Sequence, residues 1–263
     1  RDLWRDISGA EKGMKTADIT GASSGLGVEF ARAALHEFPE IEEMWLVARR
    51  ADKLNAIAGE LTGVSVRCIA ADLSGREGWD VLRREFDSRQ PDIKLLVNCA
   101  GVGRMDNVAD SNMECQVNMV NLNAAGLTAV TSLALPYIRR GGRIINISSI
   151  AAFCPNTRMT VYSSTKAYVS AYSRGLEAEL KKRGITVTAV CPGPMDTEFL
   201  EIAGIKSKMF DRLPRTSPNA VAKGGIAAAK KGKAVYTPGG FFKFYRVVAK
   251  ILPQRLMVHL AGT

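Results

Sequence analysis

Short apolar runs rich in strand-forming residues alternate with longer amphipathic stretches along most of this 263-residue chain. The apolar runs predict seven strands, at residues 17–20, 44–48, 64–70, 94–98, 143–148, 186–190 and 234–236. The amphipathic stretches predict six helices between them, at residues 27–37, 53–61, 78–89, 113–138, 161–183 and 218–230. Because neighbouring parallel strands need a crossover, which a helix supplies, the alternation predicts an α/β fold. We expect a single doubly wound domain with a mostly parallel seven-stranded sheet and helices on both faces.

The predicted elements fall within residues 14–238, and the segments on either side differ from them in composition. Residues 1–13 mix charged residues with Trp4 and lack the apolar stretch of a secretory signal. We interpret them as an N-terminal extension or a cloning remnant, with Met14 as the natural start. Residues 239–263 form a basic and apolar C-terminal segment. No apolar run reaches about 18 residues, so the sequence predicts no membrane-spanning helix.

Cysteine usage argues against both a disulfide framework and a metal site. The chain has five cysteines at scattered positions, an odd number without a Cys-x-x-Cys pair, and only two histidines. A structural zinc ion needs four closely placed thiolate or imidazole ligands. We therefore predict buried or incidental thiols, no bound metal, and a location in the reducing cytoplasm.

The net charge of +10 is concentrated towards the C-terminus. Residues 203–263 contain twelve Lys and Arg residues and one acidic residue, Asp211, so the rest of the chain is close to neutral. Such an excess of basic residues is typical of proteins that bind nucleic acid, anionic lipid or an anionic substrate. No helix-turn-helix, zinc-finger or RNA-binding signature accompanies it, so we predict no nucleic-acid partner.

Tyr162 and Lys166 are four residues apart in the predicted helix 161–183. Positions i and i+4 share a helix face, so the lysine ammonium can lie near the phenol and lower its pKa towards the range of a useful proton donor. Ser149 follows the predicted strand 143–148, where its hydroxyl could hold a reacting oxygen. Such a Tyr–Lys pair alone is also typical of a solvated helix face, so the catalytic interpretation depends on further motifs.

A glycine-rich turn follows the first predicted strand and opens the first helix. Gly21 permits a tight turn, Gly25 lets the backbone approach a diphosphate, and Gly27 allows close helix packing. The N–H groups at the start of the helix would face the phosphates. At a strand-to-helix junction this pattern predicts a dinucleotide site, which makes residues 14–238 a Rossmann-type catalytic domain.

Together these motifs resemble those of the short-chain dehydrogenase/reductase family over residues 15–197. The family's glycine motif is similar to residues 20–27, and its Asn-x-Ala-Gly motif is similar to residues 98–101. The serine, tyrosine and lysine described above match its catalytic residues. Its Pro-Gly turn with a later threonine resembles residues 192–197. Several motifs in the same order and spacing make the resemblance specific.

The resemblance implies an oxidoreductase with a nicotinamide cofactor and four catalytic residues. These are Ser149, Tyr162, Lys166 and Asn123. Register with Pro136 favours Asn123 as the asparagine of the proton relay and leaves Asn121 as the alternative; either could also be a helix-interior residue bonded to a nearby carbonyl. The implied cofactor-binding residues, with Tyr162 and Lys166, are Gly21, Ser23, Ser24, Gly25, Leu26, Gly27, Asp72, Leu73, Asn98, Ala100, Gly101, Pro192, Gly193 and Thr197.

The residues after the second predicted strand favour NADP(H), with NAD(H) as the alternative. An acidic residue there would bond the ribose hydroxyls of NAD(H). This chain has Arg49 and Arg50 instead, whose guanidinium groups can bind a 2′-phosphate or begin a solvated helix. We predict that Arg49 holds the phosphate together with Ser23. The Asp72-Leu73 pair resembles the family's contact with the adenine ring, and the aspartate could equally cap the next helix.

We predict that the enzyme interconverts a secondary alcohol and a ketone by hydride transfer. During reduction negative charge builds on the carbonyl oxygen, and Tyr162 would give that oxygen its proton while Ser149 holds it. As the resemblance implies, Lys166 would also bond the nicotinamide ribose, and Thr197 would orient the nicotinamide amide. A catalytically silent dinucleotide-binding scaffold is the alternative to an enzyme.

Residues 193–215 contain no clear strand, and we predict a mobile loop over the active site. Apolar residues in and near this loop favour a bulky hydrophobic substrate, such as a steroid, bile-acid-like or long acyl compound, and are also typical of simple lid packing. They are Met159, Met195, Phe199, Leu200, Ile202, Met209 and Phe210.

Apolar and basic residues interleave in residues 239–260, which Pro253 divides into two short pieces. An apolar face with basic edges is typical of a helix on an anionic membrane, here the inner membrane surface, and packing on the core or on a second subunit is an equal alternative. The family resemblance also implies a homo-oligomer, formed through the helices that contain Asn123 and Tyr162.

Overall fold

Seven parallel strands form the centre of the structure, a computed structural model that describes residues 13–204 and 212–260. The strands are β1 Lys15–Thr20, β2 Glu43–Ala48, β3 Ser65–Ala70, β4 Asp92–Asn98, β5 Ile138–Ile147, β6 Thr186–Val190 and β7 Val235–Tyr236. They lie in the order β3-β2-β1-β4-β5-β6-β7, and every neighbouring pair is parallel. The predicted α/β fold is therefore confirmed, with a sheet that is wholly rather than mostly parallel.

Helices cover both faces of this sheet. They are α1 Gly25–Glu37, α2 Ala51–Glu60, α3 Arg76–Arg89, α4 Met113–Val120, α5 Leu127–Ala134, α6 Thr160–Leu180, α7 Glu198–Ile202, α8 Pro218–Lys230, α9 Gly240–Ile251 and α10 Gln254–Leu260. One apolar layer joins α1, α2 and α8 to the sheet, and Phe30 and Ile226 are fully buried in it. The other joins α3, α5 and α6 to the opposite face, around Leu82 and Leu176. These two layers fix the positions of the strand ends that carry the site.

The long central helix differs from the prediction. Instead of one helix over residues 113–138, the chain forms α4, a π-helical turn at Asn121–Gly126, α5 and a short 3₁₀ turn at Leu135–Tyr137. A π-helical turn holds more residues than a regular turn and occurs mostly as a single turn, often at functional sites. Gly126 ends this turn. Only glycine fits at that position, because a Cβ there would overlap the carbonyl oxygen of Leu73. Simple apolar periodicity does not reveal such a turn.

β5 begins at Ile138, earlier than the predicted residue 143. The early part of the strand contains Gly141, whose φ of +88° suits only glycine well. The pairing with β4 also shifts register there, before Arg143 lies opposite Leu95. Arginine and glycine residues fill this part of the strand, so it lacks the apolar pattern on which the prediction depended.

The segment predicted as a loop over the active site, residues 193–215, contains the short helix α7 in its described part. Two residues predicted to belong to this lid, Met209 and Phe210, lie outside the described residues. The predicted extension at residues 1–13 also lies outside them, apart from its last residue. Pro253 separates α9 from α10, as the sequence predicted.

Asp18 interrupts the apolar pattern of β1 and is buried between Trp45 and Leu96 of the neighbouring strands. Within the described part of the chain, neither of its carboxylate oxygens has a hydrogen-bond partner at normal distance. The pKa of Asp18 is raised to about 7, mainly by burial; the hydroxyl of Thr16 offsets part of the rise, and nearby Glu43 contributes to it. The carboxyl group is therefore largely protonated in the folded protein below neutral pH.

Replacing Asp18 with asparagine is expected to stabilise the protein at pH 8 and to change its stability little near pH 4. The unfolded carboxyl ionises at its ordinary pKa of 3.8 and the folded one at about 7, so wild-type stability falls as pH rises through this window. Relative to wild type, the variant should gain at least about 1 kcal/mol in free energy of unfolding at pH 8. Denaturant titrations at both pH values measure this, with the exposed Glu40→Gln as control. A gain in stability that does not depend on pH would contradict the raised pKa of Asp18.

Candidate active site

A cavity of about 580 Å³ opens at the carboxyl ends of the central strands. Its size is that of a small-molecule site, and its place is where doubly wound sheets bind their ligands. The predicted site residues in its wall are Gly21, Ser23, Ser24, Gly25, Leu26, Gly27, Arg49, Arg50, Asp72, Leu73, Ala100, Gly101, Ser149, Tyr162, Lys166, Pro192, Gly193 and Thr197. One space therefore joins the predicted dinucleotide site to three of the four predicted catalytic residues.

The glycine turn between β1 and α1 is closed to any larger residue. Gly21 has a φ of +68°, and a Cβ there would lie 2.8 Å from Cα and N of Ala100. A Cβ on Gly27 would overlap the carbonyl oxygen of Gly21. Gly25, at the first position of α1, has a φ of +54°. The turn therefore presents backbone and free helix N–H groups to the cavity, which suits the diphosphate of a dinucleotide.

Asn98, predicted to bind the cofactor, lies behind the cavity wall. Its Nδ2 donates to Oγ1 of Thr131 at 2.9 Å and to Oδ1 of Asn146 at 2.8 Å, so its amide ties β4 to α5 and β5. The hydroxyl of Thr20 accepts hydrogen bonds from the backbone N–H groups of Cys99 and Ala100 at 3.0 and 3.1 Å. The Asn-x-Ala-Gly motif is thus a support for the strand ends, and only its last two predicted residues reach the cavity.

Ser149, Tyr162 and Lys166 meet on one wall of the cavity and are all buried. The amine of Lys166 lies 5.7 Å from the centre of the Tyr162 ring and donates to the carbonyl oxygen of Ile147 at 2.8 Å. The hydroxyl of Ser149 accepts from the N–H of Ala151 at 3.1 Å. The end of β5 therefore fixes both the serine and the lysine relative to the phenol on α6.

The charge states of this group differ from the expectation that Lys166 lowers the pKa of Tyr162. Burial raises the pKa of Tyr162 to about 12, and hydrogen bonding with Ser149 lowers it only in part. Burial also lowers the pKa of Lys166 to about 8. An i, i+4 spacing says nothing of burial, and here removal from water is the largest influence on the pKa of both groups.

Asn123 lies in the π-helical turn and is buried next to the catalytic wall. Its side chain exchanges two 2.8 Å hydrogen bonds with the backbone N–H and carbonyl of Val102 and donates to Thr165 at 3.1 Å. A Cβ on Gly101 would lie 3.1 Å from its Oδ1 and 3.3 Å from Nζ of Lys166. The structure therefore brings Asn123 close to the lysine, although the asparagine does not line the cavity itself.

Arg50, rather than Arg49, contacts the glycine turn. Its Nη2 donates to the hydroxyls of Ser23 and Ser24, each at 3.1 Å, whereas Arg49 is exposed at the cavity edge. The assignment of the 2′-phosphate to Arg49 with Ser23 stays a prediction, and the structure shows that Arg50 is the arginine that bonds this serine. Both arginines begin the connection from β2 to α2, and the direction of each side chain depends on that turn.

A lid residue, Glu198, occupies the same cationic site. Its carboxylate accepts from Arg50 at 3.0 Å and from Lys53 at 2.7 Å. Hydrogen bonding from Lys53, followed by that from Arg50, lowers the pKa of Glu198 to about 2. Sequence reasoning missed both Lys53 and Glu198, because the contact joins residues that are far apart along the chain.

Asp72 and Leu73 line the cavity, and the aspartate does not cap the next helix, α3, whose N-cap is Gly75. Oδ1 of Asp72 accepts from the N–H and hydroxyl of Ser74 at 3.0 and 2.7 Å. These bonds shape the turn that follows β3. Burial raises the pKa of Asp72, but the bonds from Ser74 and the nearby Arg49 outweigh this and leave it lowered.

The described lid residues close the cavity over Tyr162. The Phe199 ring lies 5.7 Å from the Tyr162 ring at a tilt of 48°. Thr197, just before α7, lies against the glycine turn, since its Cβ is 3.3 Å from the position that a Cβ on Gly25 would take. Other predicted lid residues that line the cavity are Met159, Met195, Leu200 and Ile202.

The C-terminal helices pack on the core through Phe242 and Met257, one of the alternatives that the sequence left open, and they form part of the cavity wall, which the sequence did not predict. Phe242, Tyr245 and Val248 of α9, with Met257 of α10, line the cavity. Gly193 leaves room for the first of these, since a Cβ there would overlap the Phe242 ring. The only sequence signal was the spacing of three between successive apolar residues in this segment.

Among residues 13–204 and 212–260, no cluster of three or more His, Cys, Asp or Glu residues could hold a metal ion. The same part of the chain contains no helix that is long and apolar enough to cross a bilayer. The five cysteines, all of which are described, are free thiols.

The chain matches a family model, a relative and two solved structures. The family model for the short chain dehydrogenases matches residues 15–205. An uncharacterized oxidoreductase of Staphylococcus epidermidis is 33% identical over 189 residues, which cover 71% of this chain and 80% of that protein.

Two solved structures are similar over most of their length. A short-chain dehydrogenase from Sphingobium yanoikuyae in complex with NADPH has a TM-score of 0.73 and 27% identity, covering 92% of this chain and 97% of that one. A bulky-bulky ketone specific alcohol dehydrogenase from Comamonas testosteroni has a TM-score of 0.70 and 26% identity, covering 92% and 96%.

Proposed function

Because the chain belongs to the short-chain dehydrogenases, a family of oxidoreductases, we propose that it interconverts a secondary alcohol and a ketone by hydride transfer with NADP(H). One observation carries the proposal: a single cavity holds both the glycine turn at the start of α1 and the group formed by Ser149, Tyr162 and Lys166. The diphosphate cradle and the proton donor that such a reaction needs therefore share one space.

A turnover screen tests this reaction class. The protein is mixed with NADPH or NADH and a panel of bulky hydrophobic ketones, and absorbance of the reduced nicotinamide is followed. We expect oxidation of NADPH with at least one ketone and the reverse reaction with the matching alcohol and NADP. Cofactor binding seen by fluorescence quenching, without turnover across the whole panel, would favour the silent scaffold instead.

In this proposal two residues act on the reacting oxygen and two others lie beside them in fixed positions. The cofactor, when bound, supplies or accepts the hydride. Tyr162 donates its proton to the carbonyl oxygen, and Ser149 holds that oxygen by a hydrogen bond. Lys166 is positioned by the oxygen of Ile147, and Asn123 braces the backbone beside it. Because burial raises the pKa of Tyr162, the phenol carries at neutral pH the proton that reduction of the ketone requires.

The proposed preference for NADP(H) rests on the cationic site beside the glycine turn. Arg50 donates hydrogen bonds to the hydroxyls of Ser23 and Ser24. Lys53 lies close to Arg50, because both donate to the carboxylate of Glu198. We assign the 2′-phosphate mainly to Arg50, with Arg49 at the edge as its second ligand. The NADPH complex of the Sphingobium dehydrogenase supports the phosphorylated cofactor.

Replacing Glu198 with glutamine is expected to tighten NADPH binding by about twofold to fivefold, the modest effect usual for exposed ion pairs. The carboxylate competes with a 2′-phosphate for Arg50 and Lys53, so its removal frees both cations. NADH lacks that phosphate, so its dissociation constant should not change. Calorimetry with both cofactors measures the effect. The control is Glu201→Gln on the same helix, and weaker NADPH binding in Glu198→Gln would show instead that the carboxylate orients the arginine.

We propose a bulky hydrophobic substrate, of the steroid, bile-acid-like or long acyl kind. The wall near Tyr162 is apolar, with Phe199 from the lid and Phe242 and Tyr245 from α9. Such a wall binds ligands by burial of apolar surface. The Comamonas dehydrogenase, at 26% identity, is described as specific for bulky-bulky ketones, which supports the same size class.

We also propose a cytoplasmic homo-oligomer. Exposed apolar side chains lie on α4, which leads into the π-helical turn that contains Asn123, and on α6, which contains Tyr162. They are Met113, Val117, Val120 and Tyr168. Contiguous exposed apolar residues of this kind are typical of subunit interfaces, and light scattering in solution measures the subunit number.

A further inference from the structure

Helix α9 carries apolar residues on two different faces. Phe242 and Tyr245 point inwards: Phe242 is fully buried, and Tyr245 packs at 6.2 Å from the Phe153 ring. Phe244 and Ile251 lie on another face, where their side chains remain 69% and 75% exposed. A helix that only covers the core would bury one apolar stripe and present polar residues outside. The second face therefore needs a separate explanation.

The outer face is a continuous strip, which we call the α9 strip. It consists of Phe241, Phe244, Val247 and Ile251, all exposed and spaced three or four residues apart. Residues at this spacing form one face of a helix. On α10, after the break at Pro253, the exposed Leu256 adds to it. An exposed apolar surface of this kind marks a binding surface for a protein or a membrane.

Charge distinguishes between those two partners. Between residues 212 and 260 the chain has ten Lys and Arg residues and no acidic residue. Lys243 and Lys250 are exposed on α9, and Arg255 is exposed on α10. An apolar strip with basic side chains and no carboxylate complements an anionic bilayer, whereas two copies of so basic a segment would repel each other.

We propose that the α9 strip docks on the surface of an anionic lipid bilayer and that hydrophobic substrate enters the cavity from the lipid. Phe241 connects the two faces, since it is 52% exposed and also lines the cavity. One end of the strip therefore meets the cavity wall at Phe241. The argument for docking uses only the exposed strip and its basic residues. The substrate route depends in addition on the proposed function.

Vesicle sedimentation tests the docking without any use of catalysis. Wild type should bind phosphatidylcholine vesicles that contain about one quarter phosphatidylglycerol, bind pure phosphatidylcholine weakly, and dissociate in part at about 1 M salt. The double variant Phe244→Glu/Ile251→Glu, whose residues do not line the cavity, should lose at least about tenfold in vesicle affinity. Val108→Glu, an exposed apolar residue outside α9, is the matched control and should bind as wild type does.

The substrate route is tested with two ketones, one soluble in water and one dissolved in the vesicles. The double variant should reduce the soluble ketone at the wild-type rate and the vesicle-bound ketone several-fold more slowly. Absence of vesicle binding by wild type would overturn the docking, as would a lower subunit number for the double variant in light scattering, which would make the strip a subunit contact. Vesicle binding with no turnover of either ketone would leave the docking intact and contradict the proposed function.

Discussion

Replacing Tyr162 with phenylalanine is expected to lower kcat by about 10²-fold to 10⁴-fold, the usual contribution of a positioned proton donor. The change removes one oxygen atom from a buried ring and leaves the ring packing against Phe199. The carbonyl oxygen would then receive no proton as hydride arrives, while the glycine turn that binds the cofactor is untouched. Steady-state kinetics with a reducible ketone, together with the dissociation constant for NADPH, measures the two effects separately.

Tyr172→Phe is the matched control for this experiment. It removes the same atom from the same helix, α6, at a position that does not line the cavity. We expect near wild-type turnover in the control and an unchanged NADPH dissociation constant in both variants. Normal turnover in Tyr162→Phe would remove the phenol from the mechanism, and a loss of cofactor binding that matches the loss of activity would assign it a structural role.

Replacing Arg50 with alanine is expected to weaken NADPH binding by about 10-fold to 100-fold, as the loss of charge-assisted hydrogen bonds to a phosphate predicts. The guanidinium lies between the hydroxyls of Ser23 and Ser24, beside the glycine turn. NADH has no 2′-phosphate, so its dissociation constant should change by less than about threefold. Calorimetry or nicotinamide fluorescence gives the dissociation constants for NADPH and NADH. Their ratio measures how much the 2′-phosphate contributes to binding.

Arg49→Ala provides the comparison, because it removes the same charge one residue earlier. Arg49 is exposed at the cavity edge, so we expect a smaller loss of NADPH affinity than in Arg50→Ala. An equal loss of affinity for NADH and NADPH in Arg50→Ala would mean that the arginine holds the glycine turn and not the phosphate. A larger effect in Arg49→Ala would restore the assignment first made from the sequence.

The parts of the site that depend on local geometry could be predicted from the sequence. Gly27 is required by its contact with the carbonyl oxygen of Gly21 and Gly21 by its φ of +68°, so the glycine spacing within one strand–turn–helix unit indicates the turn. Tyr162 and Lys166 share a helix face by a fixed periodicity, and α6 does form over both. The order of strands and helices likewise follows from short-range apolar patterns and the crossover rule.

The parts of the site that depend on long-range packing could not be predicted from the sequence. Arg49 and Arg50 are indistinguishable by type, and only the path of the chain after β2 decides which one meets the serines. The raised pKa of Tyr162 depends on how deeply the folded chain buries it. Phe242 reaches the cavity through a contact with Gly193, and the sequence pattern that marks an amphipathic segment does not say what its inner face touches.

The π-helical turn at Asn121–Gly126 also sets the rotational phase of the helix that follows it. Each residue of a regular helix advances the side chains by about 100°. Deleting one residue to restore ordinary winding would rotate α5 by that angle and exchange buried Leu127 and Val130 for partly exposed neighbours such as Thr128. Chain length between β4 and β5 is therefore as constrained as residue identity, and a one-residue insertion or deletion there should be more harmful than most substitutions.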